Sequence, residues 1–418
     1  MWIFLLLLWA NPASFETTLR AGLEALRGNN LPVARARLEE ASRMQPASPQ
    51  VWMGLAQTYW KLQLPDLARS AAEKAGSTAP DSQVVLHGLA YFYSETGEPA
   101  KAAALEARYA EKSPADHEAF PRAIDLYLQA RQAKPAIALA GKALAVEDRA
   151  DVHELLGQAY DMDGQAQNAA TEMRNAIKLN AYDESYYFEL ARLYLRHQDA
   201  EAAAETLQDG RKVFARSPQL ELALGVAYYG LRRFSDAADC FLRTIRMAPD
   251  VEQSYVFLGR MLDQAEDKLP QVTEAYAILV KSKPDDYLAN FLYGKALSMQ
   301  PGDRRRIAAQ IEALFRKSIE LKGDYWESHY ELGILLERAR DFAGAAGEFQ
   351  RAIELSPNSP TPHYHLARVY ERLGRKDEAA AEHAAHARLS AEETSAIRSQ
   401  ERTLTPLDLP AQWHAPPR

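Results

Sequence analysis

Four histidines near the C-terminal end have the spacing that comes closest to metal chemistry. His383 and His386 are three residues apart, which places two imidazoles on one face of a helix, and His363 and His365 precede them. Imidazole is the commonest metal ligand in proteins, so these residues are candidate ligands of a metal-dependent enzyme. This is the weaker alternative, because a terminal helix needs a polar outer face and histidines supply one without any metal.

The motifs of common hydrolases and nucleotide-binding enzymes are missing from the chain. His117-Glu118 and His153-Glu154 lack the second histidine of a zincin helix, and neither G-x-x-x-x-G-K-[ST] nor G-x-S-x-G occurs. The single cysteine, Cys240, cannot form an intrachain disulfide, and we interpret it as a small buried apolar residue. The sequence therefore predicts no catalytic residues, no metal and no cofactor.

Composition and charge are those of a folded acidic chain. Of its 418 residues 47% are apolar and 25% are charged, and the formal net charge is −8. Nucleic acids are bound by basic surfaces that neutralise phosphates, so we expect no nucleic-acid partner. The length allows two or three ordinary domains or one long solenoid.

Residues 1–14 differ from the rest of the chain. The uncharged run from Trp2 to Trp9 is too short for a stable membrane span, which takes about 18 apolar residues. Small residues follow in Ala10-Asn11-Pro12-Ala13, as at a secretory cleavage site. We predict a signal peptide over residues 1–14 and an exported protein, periplasmic or secreted. If this segment is an ordinary apolar N-terminus, the protein is cytoplasmic.

Tyrosine and alanine recur along the chain at a nearly constant interval. The tyrosines are 34, 34, 33, 34 and 34 residues apart at Tyr59, Tyr93, Tyr127, Tyr160, Tyr194 and Tyr228. Alanines keep the same register at Ala34, Ala68, Ala102, Ala136, Ala169, Ala203, Ala237, Ala345 and Ala379. A fixed period of this length indicates a protein built from structural repeats.

The repeated unit resembles the tetratricopeptide repeat, a helix–turn–helix with the pattern W-x-x-L-G-x-x-Y followed by alanines and a closing proline. The best match begins at Trp52, with Leu55, Ala56 and Tyr59, and ends at Pro80. The resemblance implies an all-α, right-handed superhelical solenoid of about eleven repeats over residues 15–393. The repeats begin near residues 15, 49, 83, 117, 150, 184, 218, 252, 287, 326 and 360.

Small residues recur where the two helices of a unit would cross. They are Gly22, Ala56, Ala90, Gly157, Ala191, Gly225, Gly259, Gly294, Gly333 and Ala367, with Ile124 as the exception. Close approach of two helices offsets the propensity cost of a mid-helix glycine, which is about 1 kcal/mol. We therefore predict tight packing at these positions, with the bulky Phe349 beside Gly333.

Three segments depart from the regular unit. We predict a loosened eighth unit at residues 263–268 and an enlarged turn in the ninth unit at residues 299–306. Ser390-Ala391-Glu392-Glu393 has the spacing of a capping box, which predicts the start of one more polar helix. Residues 394–418 are then the remainder of that helix and a proline-rich tail.

In the tetratricopeptide family the first helices line a concave face that binds peptide segments or other proteins. Two rows of first-helix residues, four positions apart, are apolar and cationic toward the C-terminus. They give the candidate ligand groove: Phe188, Arg192, Arg260, Phe291, Lys295, Tyr330, Tyr364 and Arg368. The alternative is that the apolar row packs against neighbouring units and that pairs such as Arg260–Asp263 and Arg368–Glu371 merely solvate their helices. The family's lysine–asparagine clamp for a terminal carboxylate is not matched.

These observations favour a non-catalytic scaffold or adaptor of a bacterial-type cell envelope. Its partner is predicted to be a protein or peptide segment, with acidic side chains opposite the cations. The alternative is a binding subunit for a polysaccharide or another non-protein ligand. The sequence does not indicate the oligomeric state.

Overall fold

A computed structural model describes residues 14–301 and 304–400, with side chains for all of these except 304–306 and 393–400. The predicted signal peptide, apart from Ser14, and residues 401–418 of the predicted tail lie outside the described residues. The chain forms two compact units, Met1–Tyr186 and Tyr187–Arg418. No helix in the described residues is long and apolar enough to cross a membrane.

The described residues are α-helical, with one 3-10 turn at Glu266–Lys268 and no strand. The helices of the first unit, the last of which continues into the second, are α1 Phe15–Arg27, α2 Leu31–Met44, α3 Pro49–Lys61, α4 Pro65–Thr78, α5 Gln83–Glu95, α6 Pro99–Lys112, α7 Ala119–Gln129, α8 Ala133–Val146, α9 Ala150–Met162, α10 Ala166–Leu179 and α11 Glu184–Arg196. The helices of the second unit are α12 Ala200–Val213, α13 Pro218–Gly230, α14 Phe234–Met247, α15 Glu252–Arg260, α16 Leu269–Ser282, α17 Tyr287–Met299, α18 Arg304–Leu321, α19 Trp326–Ala339, α20 Phe342–Leu355, α21 Pro360–Arg372 and α22 Lys376–Gln400.

Odd-numbered helices are the first helices of the repeats, and even-numbered helices are the second. In most repeats the two helices of a pair pack on each other, and the second helix also packs on the first helix of the next repeat. Short connections force the two helices of a pair to run side by side in opposite directions. The predicted fold class, an all-α solenoid of helix–turn–helix repeats, is confirmed.

A left-handed residue turns the chain from the first helix into the second. This position has φ between +55° and +77° at Asn29, Gln63, Gly97, Arg131, Gly164, Gln198, Arg232, Arg340 and Gly374. Glycine accepts this conformation without steric cost, whereas other residues carry a penalty. The same backbone turn is therefore kept in repeats with different residues at this position.

The small residues predicted at the helix crossings are in close contact. A Cβ atom built on Gly157 would lie 2.7 Å from Cγ of Met173, and one on Gly225 would lie 2.6 Å from Cε1 of Phe241. The alanines of the second helices are buried opposite, with 0% exposure at Ala169 and Ala237. Ile124, the exception in the sequence, is also fully buried.

The eighth and ninth repeats are irregular in different ways. In the eighth, α15 has only 9 residues and stops at Arg260, so residues 263–268 lie outside the α-helices as predicted. In the ninth, four residues separate α17 from α18, whereas three separate α1 from α2. The extra residues lengthen α18 to 18 residues, compared with 14 in α20. The predicted enlarged turn is thus mainly a longer second helix.

The capping box predicted at Ser390–Glu393 does not begin a new helix. Helix α22 runs without interruption from Lys376 to Gln400, so Ser390 lies inside it. Leu389, just before this serine, is 3% exposed and holds this part of the helix against the repeat. A capping box needs a residue with non-helical backbone, and this burial keeps the helix continuous.

Candidate functional site

The apolar row of the predicted groove is mostly buried inside the second unit. Phe188 is 3% exposed and Phe291 is 5% exposed. The ring of Phe291 meets that of Tyr325 edge-on, with centroids 5.1 Å apart. The prediction that these two phenylalanines line an open groove is therefore wrong, because packing within and between repeats already covers them.

The two tyrosines of that row retain some accessibility. Tyr364 is 40% exposed, and its ring lies 5.5 Å from the ring of His365. Tyr330 is partly buried, and its ring contacts those of Phe349 and His365 at 6.0 and 5.6 Å. Of the predicted aromatic residues, Tyr364 is the one with the most surface available to a partner.

Two of the four predicted cations are already paired with carboxylates. Arg192 donates to Glu189, one turn earlier on α11. Arg368 lies 3.2 Å from Glu337, which belongs to the preceding repeat rather than to its own helix. The predicted pair Arg368–Glu371 is not formed. Instead, Oε1 of Glu371 lies 3.1 Å from Nε2 of His383.

The other two cations have no ion pair among the described residues. Arg260 is exposed and lies over the ring of Phe257, on its own helix, at 5.9 Å. Lys295 is partly buried on α17. The predicted pair Arg260–Asp263 is absent from the described contacts, so both cations remain available to an external carboxylate.

Two carboxyl groups on α19 were missed by the sequence analysis. Glu327 and Glu331 are one helical turn apart and make no ion pair within 4.0 Å among the described residues. Burial raises the pKa of both carboxyls, and nearby Lys295 offsets part of that rise. Oε2 of Glu327 is buried and has no hydrogen-bond partner in the part of the chain that the structure describes. These glutamates belong to neither of the two rows of first-helix residues that the sequence predicts to face outward.

The four candidate metal ligands are not brought together as a metal site. His365 Nδ1 lies 3.0 Å from Glu337, and His386 Nδ1 lies 3.1 Å from the carbonyl of Pro360. His383 is hydrogen-bonded to Glu371, and His363 is hydrogen-bonded to Glu382. Among the side chains that the structure describes, no group of three or more His, Cys, Asp or Glu is arranged to hold a metal ion. The geometry of these four histidines therefore does not support the alternative of a metal-dependent enzyme.

Instead, a histidine–glutamate pair recurs within single repeats. Nδ1 of the first-helix histidine lies near Oε2 of a second-helix glutamate at 2.6 Å for His153–Glu172, 2.7 Å for His329–Glu348 and 2.5 Å for His363–Glu382. In each pair the glutamate follows the histidine by 19 residues, a signal that was present in the sequence. These pairs join the two helices of one repeat.

The same first-helix position also reaches the turn before the repeat. Trp52 Nε1 donates to the carbonyl of Pro46 at 2.7 Å, and Asn290 Nδ2 donates to that of Pro284 at 2.9 Å. Nε2 of His329 lies 3.3 Å from the carbonyl of Gly323. In each case the acceptor is six residues earlier. This position is therefore structural, since it satisfies a carbonyl that the turn leaves unpaired.

The stacked helix pairs define an α-helical repeat protein. A model of the tetratricopeptide repeat matches residues 19–82, 188–252, 222–269, 299–360 and 330–393, which together make up more than half of the chain. The chain belongs to the tetratricopeptide repeat family.

Curated relatives resemble part of the chain. Intraflagellar transport protein 70A of Bos taurus is 26% identical over 160 residues, which cover 37% of this chain and 24% of that protein. The chain thus spans about a quarter of the length of this relative.

Two solved structures resemble the chain over most of its length. The complex of Naa15/Naa10 bound to HypK-THB matches 90% of this chain and 63% of its own chain, at 16% identity and a TM-score of 0.43. The match to the APC/C hetero-tetramer Cut9–Hcn1 covers 94% of this chain and 97% of that chain, at 12% identity and a TM-score of 0.40.

Proposed function

We propose that the protein is a non-catalytic scaffold whose second unit binds an extended segment of a partner protein along its first helices. The observation that carries this proposal is the set of charged first-helix side chains without an ion pair, Arg260 and Lys295 above all. The charge of Lys295 lies in a partly buried position, where it costs stability unless a partner compensates it, and Arg260 is exposed and open to a partner. Membership of a family built from helical repeats, rather than from a catalytic domain, supports a binding role.

The partner segment should carry acidic side chains that face these two cations. On a later first helix, the exposed Tyr364 offers a rigid amphipathic contact on which apolar groups of the segment would pack. Association through exposed charges weakens as salt rises, because such pairs are screened within about 8–10 Å at physiological ionic strength.

Site-specific photo-crosslinking tests where the partner binds. A photoreactive residue at Lys295, on a first helix, should capture a protein partner from cell extract. The same residue at Lys281, which is exposed on the second helix α16, is the matched control and should capture none. Equal capture from both positions would move the binding surface away from the first helices.

Affinity measurements with the captured partner then test the charges. Arg260→Gln combined with Lys295→Gln should weaken binding and reduce its salt dependence. Arg246→Gln combined with Lys281→Gln removes the same charge from second helices and should leave affinity unchanged. If the first pair binds as tightly as the original protein, the two cations do not contact the partner.

We also propose that the protein is exported to a bacterial-type cell envelope, on the strength of the apolar residues 2–9 and the small residues after them. N-terminal sequencing of the protein from its native cells should find a mature chain that begins shortly after Ala10 or Ala13. A chain that keeps Met1 and is recovered from the cytoplasm would exclude export.

A further inference from the structure

A cavity of about 620 Å³ lies within the second unit, between the last turns of α19 and α21. Its lining includes four arginines, one glutamate and one histidine: Arg338, Arg340, Arg368, Arg372, Glu337 and His365. We name it the arginine cavity. Of these arginines, only Arg368 was a candidate from the sequence. The others were not predicted, because the cavity is formed by two repeats and the turn that follows α19.

The positive charge of the arginine cavity greatly exceeds its negative charge. Glu337 is shared, since it accepts from Nδ1 of His365 at 3.0 Å and also pairs with Arg368 at 3.2 Å. Arg338, Arg340 and Arg372 make no ion pair within 4.0 Å among the described residues. Arg338 is near enough to Glu331 to favour the ionised form of that carboxyl, without forming a pair. Three guanidinium groups therefore remain for an external anion.

Arg340 occupies a backbone position that glycine fills in other repeats. Its φ is +66°, and the equivalent residues Gly97, Gly164 and Gly374 have φ between +75° and +77°. Arg232 stands at the same turn of an earlier repeat with φ of +58°. An Arg→Gly change at either position removes a cation while favouring the observed backbone conformation. The chain itself thus supplies a variant and its matched control.

We propose that the arginine cavity binds a doubly charged oxyanion, namely the phosphoryl group of a phosphorylated side chain on the partner segment. A single carboxylate would leave most of the cationic charge uncompensated, whereas a phosphoryl dianion offers three acceptor oxygens to several guanidinium forks. The volume of the cavity leaves room for the side chain that carries this group. This inference rests on the proposed function, because it assigns one contact of a protein segment bound to the same unit.

Three libraries of short peptides test the inference on the full-length protein. All have random flanks, and the central residue is phosphoserine, glutamate or serine. The phosphoserine library should be retained about tenfold more strongly than the serine library, as expected for charge-assisted hydrogen bonds. Equal retention of the phosphoserine and serine libraries overturns the proposal. Retention of the glutamate library as strong as that of phosphoserine overturns the requirement for a dianion.

Variants then locate the binding of the selected phosphopeptide. Arg340→Gly and Arg372→Gln should each weaken it by about tenfold, the effect of losing one charge-assisted contact, without lowering the thermal midpoint in the case of Arg340→Gly. Arg232→Gly should bind as the original protein does. Unchanged affinity in both cavity variants overturns the site. Photo-crosslinking at Lys295 separates the two proposals. If it captures a partner while the phosphopeptide test fails, the scaffold function stands and only the phosphoryl site in the arginine cavity is excluded.

Discussion

Gly333 on α19 and Phe349 on α20 are packed so closely that a Cβ atom built on Gly333 would lie 2.7 Å from Cε1 of Phe349. Phe349 is fully buried, so its ring has little room to move. Gly225 with Phe241 and Gly294 with Phe315 repeat this arrangement, at 2.6 and 2.8 Å. A glycine on the first helix therefore makes room for a phenylalanine on the second.

Gly333→Ala should destabilise the repeat through overpacking, despite the better helix propensity of alanine. The expected loss in the free energy of unfolding is about 1–3 kcal/mol, measured by denaturant titration. Combining it with Phe349→Leu should recover part of that loss, because the smaller side chain can make room.

Gly347 provides the control for this substitution. It lies on α20, and a Cβ atom there would meet nothing within 4 Å. Gly347→Ala should therefore stabilise the protein by about 0.5–1 kcal/mol, the ordinary helix-propensity gain. Loss of stability in both variants would mean that the space around Gly333 is not the cause.

His329→Ala should cost about 1–3 kcal/mol, because it leaves Glu348 and the carbonyl of Gly323 without their partner in a buried place. His329 is 7% exposed, and its two ring nitrogens reach these groups at 2.7 and 3.3 Å. Chemical denaturation measures the loss. His117→Ala is the comparison, since His117 also pairs with a glutamate, Glu147, but on an exposed surface. It should change stability by less than about 0.5 kcal/mol, and equal losses would contradict a structural role for the buried pair.

Glu331→Gln should stabilise the protein at neutral pH. Burial raises the pKa of Glu331 in the folded state, so folding favours its neutral form. The favourable contribution of this carboxyl is therefore complete below its unfolded pKa and is lost as pH rises through the folded pKa. Glutamine removes the buried charge, so its advantage should be largest near neutrality and should fade as the solution becomes acidic.

The thermal midpoints of the Glu331→Gln variant and of the original protein, compared at a series of pH values, measure this gain in stability. Glu354→Gln is the control, because Glu354 is an exposed carboxylate paired with Arg351. It should show no stabilisation that grows with pH. A gain from Glu331→Gln that is the same at every pH would point to packing rather than to the charge.

Cys240 should resist alkylation in the folded protein. It is fully buried, and burial raises the pKa of its thiol to about 12. At pH 8 only about one thiol in ten thousand would then be ionised, and the thiolate is the reactive form. Mass spectrometry after iodoacetamide treatment should find Cys240 unlabelled until denaturant is added. Rapid labelling of the native protein would show that this helix opens readily.

The periodic features of the molecule could be predicted from the sequence alone. The tyrosine and alanine intervals, together with small residues such as Gly157 and Gly333, indicated the helix pairs and the places where they cross. This was feasible because each repeat packs mainly on its neighbours, so the same local pattern is imposed again in every unit. The burial of Cys240 was also predicted, from the usual behaviour of an unpaired cysteine.

The contacts between repeats were decided only by the tertiary structure. Arg368 pairs with Glu337 of the preceding repeat instead of Glu371 on its own helix, and Phe291 is covered by Tyr325 in the turn that leads into the next repeat. Spacing along a helix says which residues share a face, but it does not say how far a long side chain reaches across to another helix. The arginine cavity was hidden for the same reason, since its cations come from the end of α19, from the turn after it and from α21. Their positions converge only when two repeats are stacked, and a pattern read within one repeat does not contain that geometry.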